Sequence, residues 1–138
     1  MIVVSACLVG ENCRYNAQTK LNSDVVEYLK DKSYTTFCPE EPLGTPREPI
    51  HVVGSKLFGN ESKKDYTKVV KEHIEKFVER NSITTALLKA RSPSCAIKTF
   101  GESRSDGLFT QILRDKFENI ELIDEEILSN HSAPIKKQ

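Results

Sequence analysis

Three thiols are the residues of this chain whose placement most clearly points to chemistry. Cys7, Cys38 and Cys95 each lie at the end of, or just beyond, a short apolar run that predicts a buried strand. The carboxyl ends of parallel strands share one edge of a sheet, where open α/β folds bind their ligands. We therefore expect the three thiols to meet in one pocket, an arrangement that suits a metal cluster better than a disulfide framework.

The number of cysteines limits what they can be. Four in 138 residues are too few for a secreted disulfide scaffold, so in a reducing compartment they would be thiols, ligands or catalysts. A buried cysteine can also be an ordinary small hydrophobic residue, which is the alternative for each of them. Zinc stays open as well, although structural zinc sites favour close C-x-x-C pairs and the chain has none. Thiolates from separate loops fit an iron-sulfur cluster at least as well.

The elements that must position these thiols follow from hydrophobic periodicity. Strands that alternate with helices predict a three-layer, Rossmann-like α/β domain with a mostly parallel sheet of about four to five strands. The predicted strands are 2–6, 35–38, 83–88 and 120–123, with a small hairpin at 51–59. The predicted helices begin at Asn22 or Ser23, run from Ser62 to about Arg80, and cover 108–117. We expect one domain over 1–130 and a flexible tail over 131–138.

Helix ends and inward faces are predicted in more detail. Asn22 or Ser23 caps the first helix, Ser62 and Asp65 have capping-box character, and Asp124 caps a final turn. The residues expected to face inward on the first two helices are Val25, Val26, Leu29, Tyr66, Val69, Val70, Ile74, Phe77 and Val78. The stretch 39–49 contains four prolines, so we expect a loop without a ladder of its own.

Composition excludes several classes of function. Twenty basic and 20 acidic residues give a formal net charge of zero, so we expect no strong binding to nucleic acid. The apolar start, 2–9, lacks a preceding basic segment and is interrupted by Ser5 and Cys7, so we expect a strand there rather than a signal peptide. No apolar run reaches 18 residues. We expect a cytoplasmic protein without membrane contact, a monomer or small homo-oligomer.

The first loop, from Cys7 to Arg14, resembles the phosphate loop of low-molecular-weight tyrosine phosphatases and arsenate reductases. In those enzymes a nucleophilic cysteine and an arginine surround one phosphate together with backbone N–H groups. Here six residues separate Cys7 from Arg14, which is one too many, and the chain has no Asp-Pro pair to supply the general acid. A phosphatase-like function is therefore the less favoured interpretation of this loop.

All three cysteine loops resemble a different family, the thiouracil desulfurases. The matching segments are 4–10 with Arg14 and Tyr15, then 37–40 with Gly44, Pro46 and Arg47, then 89–95, and the similarity runs from residue 1 to about 128. The resemblance implies a 4Fe-4S cluster held by Cys7, Cys38 and Cys95, with one iron left open to the sulfur of a small thiolated pyrimidine. It implies a non-redox reaction in which water replaces sulfur on the ring and sulfide leaves.

Other residues of the matching loops are assigned roles on the same basis. Glu40 and Ser92 are the expected acid-base groups, and the alternative for Glu40 is an ion pair with Arg47 or Arg91 that holds the loop. Arg14, Arg47 and Arg91 are expected to bind substrate or to pair with acidic neighbours. Ser94 is expected to satisfy backbone groups of its turn. Two rival functions stay open: a zinc or redox-thiol enzyme, and a non-catalytic metal- or nucleotide-binding module.

Overall fold

A computed structural model describes residues 1–11, 21–97 and 106–128. The strands of this part of the chain are β1 (Ile2–Ser5), β2 (Tyr34–Phe37), β3 (Ile50–Val53), β4 (Lys56–Gly59), β5 (Thr85–Leu88) and β6 (Glu121–Asp124). Its α-helices are α1 (Ser23–Leu29), α2 (Thr67–Arg80) and α3 (Leu108–Lys116). All four predicted sheet strands and the predicted hairpin are therefore confirmed.

Four strands form one parallel sheet in the order β2-β1-β5-β6. β1 pairs in parallel with β2 on one side and with β5 on the other, and β5 pairs in parallel with β6. The chain thus runs from β1 to β2 at one edge of the sheet and later returns to form β5 on the other side of β1. Such a reversal opens a crevice at the carboxyl ends of the strands, where α/β folds bind ligands.

The sheet is covered on both faces, which confirms the predicted three layers. Because successive side chains of a strand point to opposite faces, Val3 and Val4 enter different hydrophobic clusters. The larger cluster packs α2 and α3 on the sheet and includes Val70, Ile74, Val78, Phe109 and Leu113. The smaller cluster packs α1 on the other face and includes Leu8, Val25, Leu29 and Leu87. Among the described residues, no helix is both long and apolar enough to cross a membrane.

The helix predictions were right for the caps of α1 and of the last turn. The Asn22 side chain accepts hydrogen bonds from the backbone N–H groups of Asp24 (2.9 Å) and Val25 (3.1 Å). Asp124 accepts one from the backbone N–H of Ile127 at 2.7 Å. Val26 and Val69 do not face inward as predicted, since they are 47% and 40% exposed. The apolar stripes of their helices are narrower than the sequence suggested.

The predicted start of α2 at Ser62 was wrong. The helix begins at Thr67, where Asp65 accepts a hydrogen bond from the Thr67 backbone N–H at 2.9 Å. Lys63 has a left-handed backbone (φ 63°), which a helix does not tolerate, and the Ser62 hydroxyl donates to Glu48 instead of capping. Long-range contacts of this loop therefore override a local capping pattern.

The proline-rich stretch is a loop, as predicted, and it is ordered by a short 3₁₀ turn. That turn covers Glu41–Leu43 and ends at Gly44, whose backbone lies at φ 87°. The peptide bond between Thr45 and Pro46 is cis. The loop returns the chain to β3 beside the carboxyl end of β2. The tail predicted over 131–138 lies outside the described residues.

Candidate functional site

A cavity of about 220 Å³ opens at the carboxyl ends of β1, β2 and β5. It lies at the crevice that the strand order creates. The residues that line it are Ser5, Cys7, Phe37, Cys38, Pro39, Glu40, Arg47, Pro49, Ile50, Lys89, Ala90, Arg91, Ser92, Pro93 and Cys95. Cys7, Cys38 and Cys95 are buried, with 7%, 8% and 4% of their surfaces exposed. Three thiols that are far apart in sequence therefore share one cavity.

Cys7 is positioned by a 3₁₀ turn that follows β1 directly. This turn covers Ala6–Val9 and ends at Gly10, whose left-handed backbone (φ 100°) favours glycine. The Gly10 N–H donates to the Cys7 carbonyl at 3.3 Å, and the Glu11 N–H donates to the Ala6 carbonyl at 3.2 Å. The turn thus leaves β1 sharply and keeps the Cys7 thiol at the edge of the sheet.

Cys95 is positioned by the loop that follows β5, and this loop packs against the first turn of α3. The Ser92 hydroxyl oxygen accepts hydrogen bonds from the backbone N–H groups of Ser94 (3.2 Å) and Cys95 (3.1 Å). The Thr110 hydroxyl donates to the Cys95 carbonyl at 3.0 Å. Gly107 lies so close that a Cβ there would collide with the backbone of Ser94 and Cys95. The cysteine loop and the first turn of α3 are therefore one packed unit.

The thiols lie in a low-polarity setting. Burial raises the pKa of the Cys95 thiol, and the nearby Cys38 and Glu40 raise it further, whereas hydrogen bonds with Ser5 and Ser92 act in the opposite direction. Bound to a metal, such a thiol is held as thiolate by the cation itself. Burial without a cation makes the thiol form stable and leaves it a weak nucleophile.

The three thiols of the cavity are its candidate metal donors. Within the described ranges, no three His, Cys, Asp or Glu side chains lie close enough together to hold a single metal ion. A cluster presents its irons at separate corners and takes one thiolate at each, so three buried thiols around one cavity fit it better than they fit one zinc ion. The residues present therefore suit an iron-sulfur cluster.

Glu40 is held by two partners from different loops. Its Oε1 atom accepts hydrogen bonds from Arg47 Nη2 at 3.0 Å and Arg47 Nε at 3.3 Å. Its Oε2 atom accepts one from the Ser94 hydroxyl at 2.7 Å. The Glu40–Arg47 ion pair is almost buried, with side chains 11% and 7% exposed. The carboxylate that sequence analysis selected is thus fixed in orientation at the cavity wall.

The two predicted arginines that the structure describes, Arg47 and Arg91, lie in different settings. Arg47 is committed to Glu40 and also donates to the Gly44 carbonyl at 2.7 Å. The Arg91 side chain is 66% exposed and pairs with Glu126, Nε to Oε2, at 3.3 Å. Its backbone is left-handed, with φ 63°. Arg14 lies outside the described residues, as does Cys13.

Sequence analysis missed the roles of three polar residues of this region. The Ser94 hydroxyl donates to Glu40, whereas the predicted role of satisfying backbone groups of the turn falls to Ser92. Ser5 accepts a hydrogen bond from the Lys89 N–H at 3.0 Å. Glu125 accepts hydrogen bonds from the Ala90 N–H at 2.7 Å and pairs with Lys89 Nζ at 2.9 Å. Glu125 directly follows β6, so the strand-end argument that selected the cysteines could have found it. No local pattern marks Ser94 as a partner of Glu40.

Comparisons with known proteins agree with this geometry. The sequence profile of a family described as 2-thiouracil desulfurase matches residues 2–126. A curated relative, the uncharacterized protein YbbK of Bacillus subtilis (strain 168), is 32% identical over 109 residues, which are 69% of this chain and 72% of that protein. A solved structure, the 4Fe-4S-dependent thiouracil desulfidase TudS, matches with a TM-score of 0.74 at 30% identity, covering 99% of this chain and 98% of that one.

Proposed function

The chain belongs to the 2-thiouracil desulfurase family, and from that membership we propose that it is an iron-sulfur-dependent, non-redox desulfurase of thiolated pyrimidines. The substrate would be a thiouracil, a thiouridine or its nucleotide. Water supplies the oxygen that replaces sulfur on the ring carbon, so one C=S group and one water give one C=O group and one hydrogen sulfide. Atoms balance without any oxidant or reductant.

We propose that Cys7, Cys38 and Cys95 hold a 4Fe-4S cluster and that no fourth protein ligand closes it. The observation that carries this proposal is the meeting of these three buried thiols at one cavity, on loops that follow three neighbouring strands. When bound, a cluster with one iron free of protein ligands supplies a soft Lewis acid for the substrate sulfur.

The residues of the chain would manage the protons. Glu40 has its carboxylate at the cavity wall, and each carboxylate oxygen has two lone pairs, so the bonds to Arg47 and Ser94 leave acceptor capacity for a water molecule. An ionised Glu40 can take a proton from the attacking water and return it to the ring. Ser92, on the opposite loop, is the second proposed proton donor: its oxygen accepts two backbone N–H groups, and a hydroxyl also has one proton to donate.

Substrate binding would use the polar rim of the cavity. The guanidinium of Arg91 is the more exposed of the two arginines that line the cavity, so it suits an anionic or carbonyl group of the substrate better than the buried Arg47 does. Arg47 would act on substrate through Glu40, and Arg14 is proposed from the sequence alone.

The test is a stoichiometric assay under anaerobic conditions. Protein reconstituted with iron and sulfide is incubated with 2-thiouracil, without a reductant, and uracil and released sulfide are quantified. We expect one sulfide for each uracil, and no turnover by Cys38→Ser prepared in the same way. Retention of 2-thiouracil without sulfide release would favour a binding module instead. Equal activity of an iron-free, zinc-loaded preparation would favour the zinc or redox-thiol alternative.

A further inference from the structure

Lys89 is a cation of the cavity wall to which the proposed reaction gives no role. It directly follows β5, it lines the cavity, and its side chain is only 20% exposed. Its backbone N–H donates to the Ser5 hydroxyl oxygen at 3.0 Å, and its ammonium donates to the Ala90 carbonyl oxygen at 2.8 Å. Ala90 also lines the cavity, so the ammonium lies against the loop that forms this part of the wall.

Glu125 fixes the Lys89 ammonium in that position. One carboxylate oxygen, Oε2, lies 2.9 Å from Lys89 Nζ, and the other, Oε1, accepts a hydrogen bond from the Ala90 backbone N–H at 2.7 Å. Glu125 is itself buried. Because the same carboxylate binds the ammonium and the backbone beside it, the ammonium is held before a ligand arrives, and binding costs little additional side-chain entropy.

The fixed ammonium has one N–H donor to spare. A lysine head group carries three donors and no acceptor. Among the residues that the structure describes, the Ala90 carbonyl and the Glu125 carboxylate are the two acceptors within hydrogen-bonding distance of Nζ. The third donor can therefore serve a ligand, and the ligand atom that meets it must be an acceptor.

The other two cations that line the cavity are placed for different tasks. Arg47 is committed to Glu40, the proposed acid-base group. The Arg91 side chain is 66% exposed and pairs with Glu126, so it suits a group that projects outward from the ring, such as a phosphate. Lys89 is less exposed than Arg91 and is not bound to Glu40, which leaves it for a contact to the ring itself.

We propose that Lys89 determines the base specificity of the cavity, because its third ammonium N–H donates to the carbonyl oxygen that a thiouracil carries beside its C=S group. The inference rests on the proposed function, which supplies the class of substrate. Carbon 4 of 2-thiouracil bears a carbonyl oxygen, an acceptor, whereas the same carbon of 2-thiocytosine bears an amino group, which presents hydrogens to the ammonium. A site built around such a bond rejects the analogue that lacks the acceptor.

A purely structural role would make a different prediction. In that case the Lys89–Glu125 ion pair only ties the loop after β5 to the residue that follows β6. Loss of either partner would then lower the stability of the protein in a similar way, and neither loss would change the choice between the two bases. The ratio of activities on the two bases therefore separates a ligand contact from a clamp between loops.

The chain offers matched variants for this test. Lys89→Met removes the ammonium, and Lys89→Arg keeps a donor-only cation. Glu125→Gln removes the ion pair but keeps the lysine and an oxygen for the Ala90 N–H. Lys89→Met combined with Glu125→Gln leaves no buried unpaired carboxylate, which would otherwise destabilise the single variant. Lys71→Met, on the exposed side of α2, controls for the loss of a lysine elsewhere.

Two measurements are made on the anaerobically reconstituted full chain. Sulfide release from 2-thiouracil and from 2-thiocytosine gives kcat and KM for each base. Equilibrium binding of uracil and cytosine reports the Lys89 contact without chemistry, because these oxo bases have no sulfur to bind an open iron. Iron content and thermal stability are recorded in the same samples.

We expect the wild type to prefer 2-thiouracil. Lys89→Met should lower kcat/KM for 2-thiouracil by roughly 10- to 100-fold, the scale of one hydrogen bond to a charged group, and mainly through KM, because the bond exists before and during the reaction. Activity on 2-thiocytosine should change little, and uracil binding should weaken by the same factor. Lys89→Arg, Glu125→Gln and Lys71→Met should keep the preference. If Lys89→Met does not fold, the double variant gives the same comparison.

Three results would overturn the inference alone: an unchanged base preference in iron-loaded Lys89→Met or the double variant, an equal loss of preference in Glu125→Gln, or a wild type without any preference. Failure of the proposed function has another signature, namely a wild-type protein that releases no sulfide from 2-thiouracil. The comparison of uracil with cytosine binding still tests Lys89 in that case: equal binding of both bases by the wild type contradicts the inference, and a uracil preference lost in Lys89→Met supports it.

Discussion

The carboxylate of Glu40 is joined to the hydroxyl of Ser94 by a 2.7 Å hydrogen bond that spans 54 positions of the chain. The two residues follow different strands, β2 and β5, and each stands two positions or fewer from a cysteine of the cavity. This bond therefore ties the Cys38 loop to the Cys95 loop. It also sets the direction from which the Glu40 carboxylate can meet a ligand.

Glu40→Gln is expected to separate proton transfer from cluster binding. The amide keeps the size of the side chain but cannot take a proton, so sulfide release should slow by about 100-fold or more, the scale of lost acid-base catalysis. The absorption spectrum and iron content should not change. Glu41→Gln, the exposed neighbour, is the control. Full activity of Glu40→Gln at neutral pH would assign Glu40 a structural role.

Substitution of single cysteines is expected to divide the four into two groups. Ser at position 7, 38 or 95 should abolish both iron binding and sulfide release, because each thiol lies in the cavity. Cys13→Ala should retain the cluster and most of the activity, since a fourth thiolate would close the iron that must receive sulfur. Iron analysis and sulfide assays on the four variants decide this. Equal loss of iron at all four positions would contradict an open iron.

Gly107→Ala is expected to disturb the Cys95 loop. A Cβ there would collide with the backbone of Ser94 and Cys95, so the loop or α3 must move, at a cost of about 1–3 kcal/mol of unfolding free energy. Iron content should fall as well. Gly54→Ala is the matched control: the left-handed backbone (φ 62°) would be strained for alanine, but nothing lies within 4 Å of the added methyl group. It should lose about 1 kcal/mol and no iron.

Stability at acidic pH is expected to depend on Glu48. Hydrogen bonds from the Ser62 side chain and backbone, with that of the Tyr66 hydroxyl, lower the pKa of Glu48 from 4.5 to about 2. A lowered pKa means that the contribution is complete above about pH 4.5 and is lost as pH falls from there through about 2. Thermal unfolding between pH 2 and 6 should therefore be less pH-dependent in Glu48→Gln than in the wild type. Glu61→Gln, whose side chain makes none of these bonds, should follow the wild type.

The sequence predicted the structure correctly where a local pattern allows only one physical outcome. Apolar runs that end at or shortly before Cys7, Cys38 and Cys95 predict strands, and parallel strands put their ends at one edge, so the meeting of the thiols could be inferred. The start of α2 could not, because the Ser62 hydroxyl that suggested a cap binds Glu48 instead. The ion pair between Glu40 and Arg47 was among the sequence predictions and is confirmed, but the Ser94 partner of Glu40 could not be predicted, because it lies 54 positions away.

The strand order also has a consequence for biosynthesis. Cys7 and Cys38 are held by β1 and β2, but the third thiol reaches them only after β5 has docked beside β1, with Ile2 opposite Thr85. Closing so long a segment of chain is entropically costly and slow compared with local folding. Until β5 and the loop to residue 95 have left the ribosome, the nascent chain offers at most two of these three thiols. If the three thiols hold a cluster as proposed, their full ligand set is assembled only once the sheet is complete, not when the first cysteine is translated.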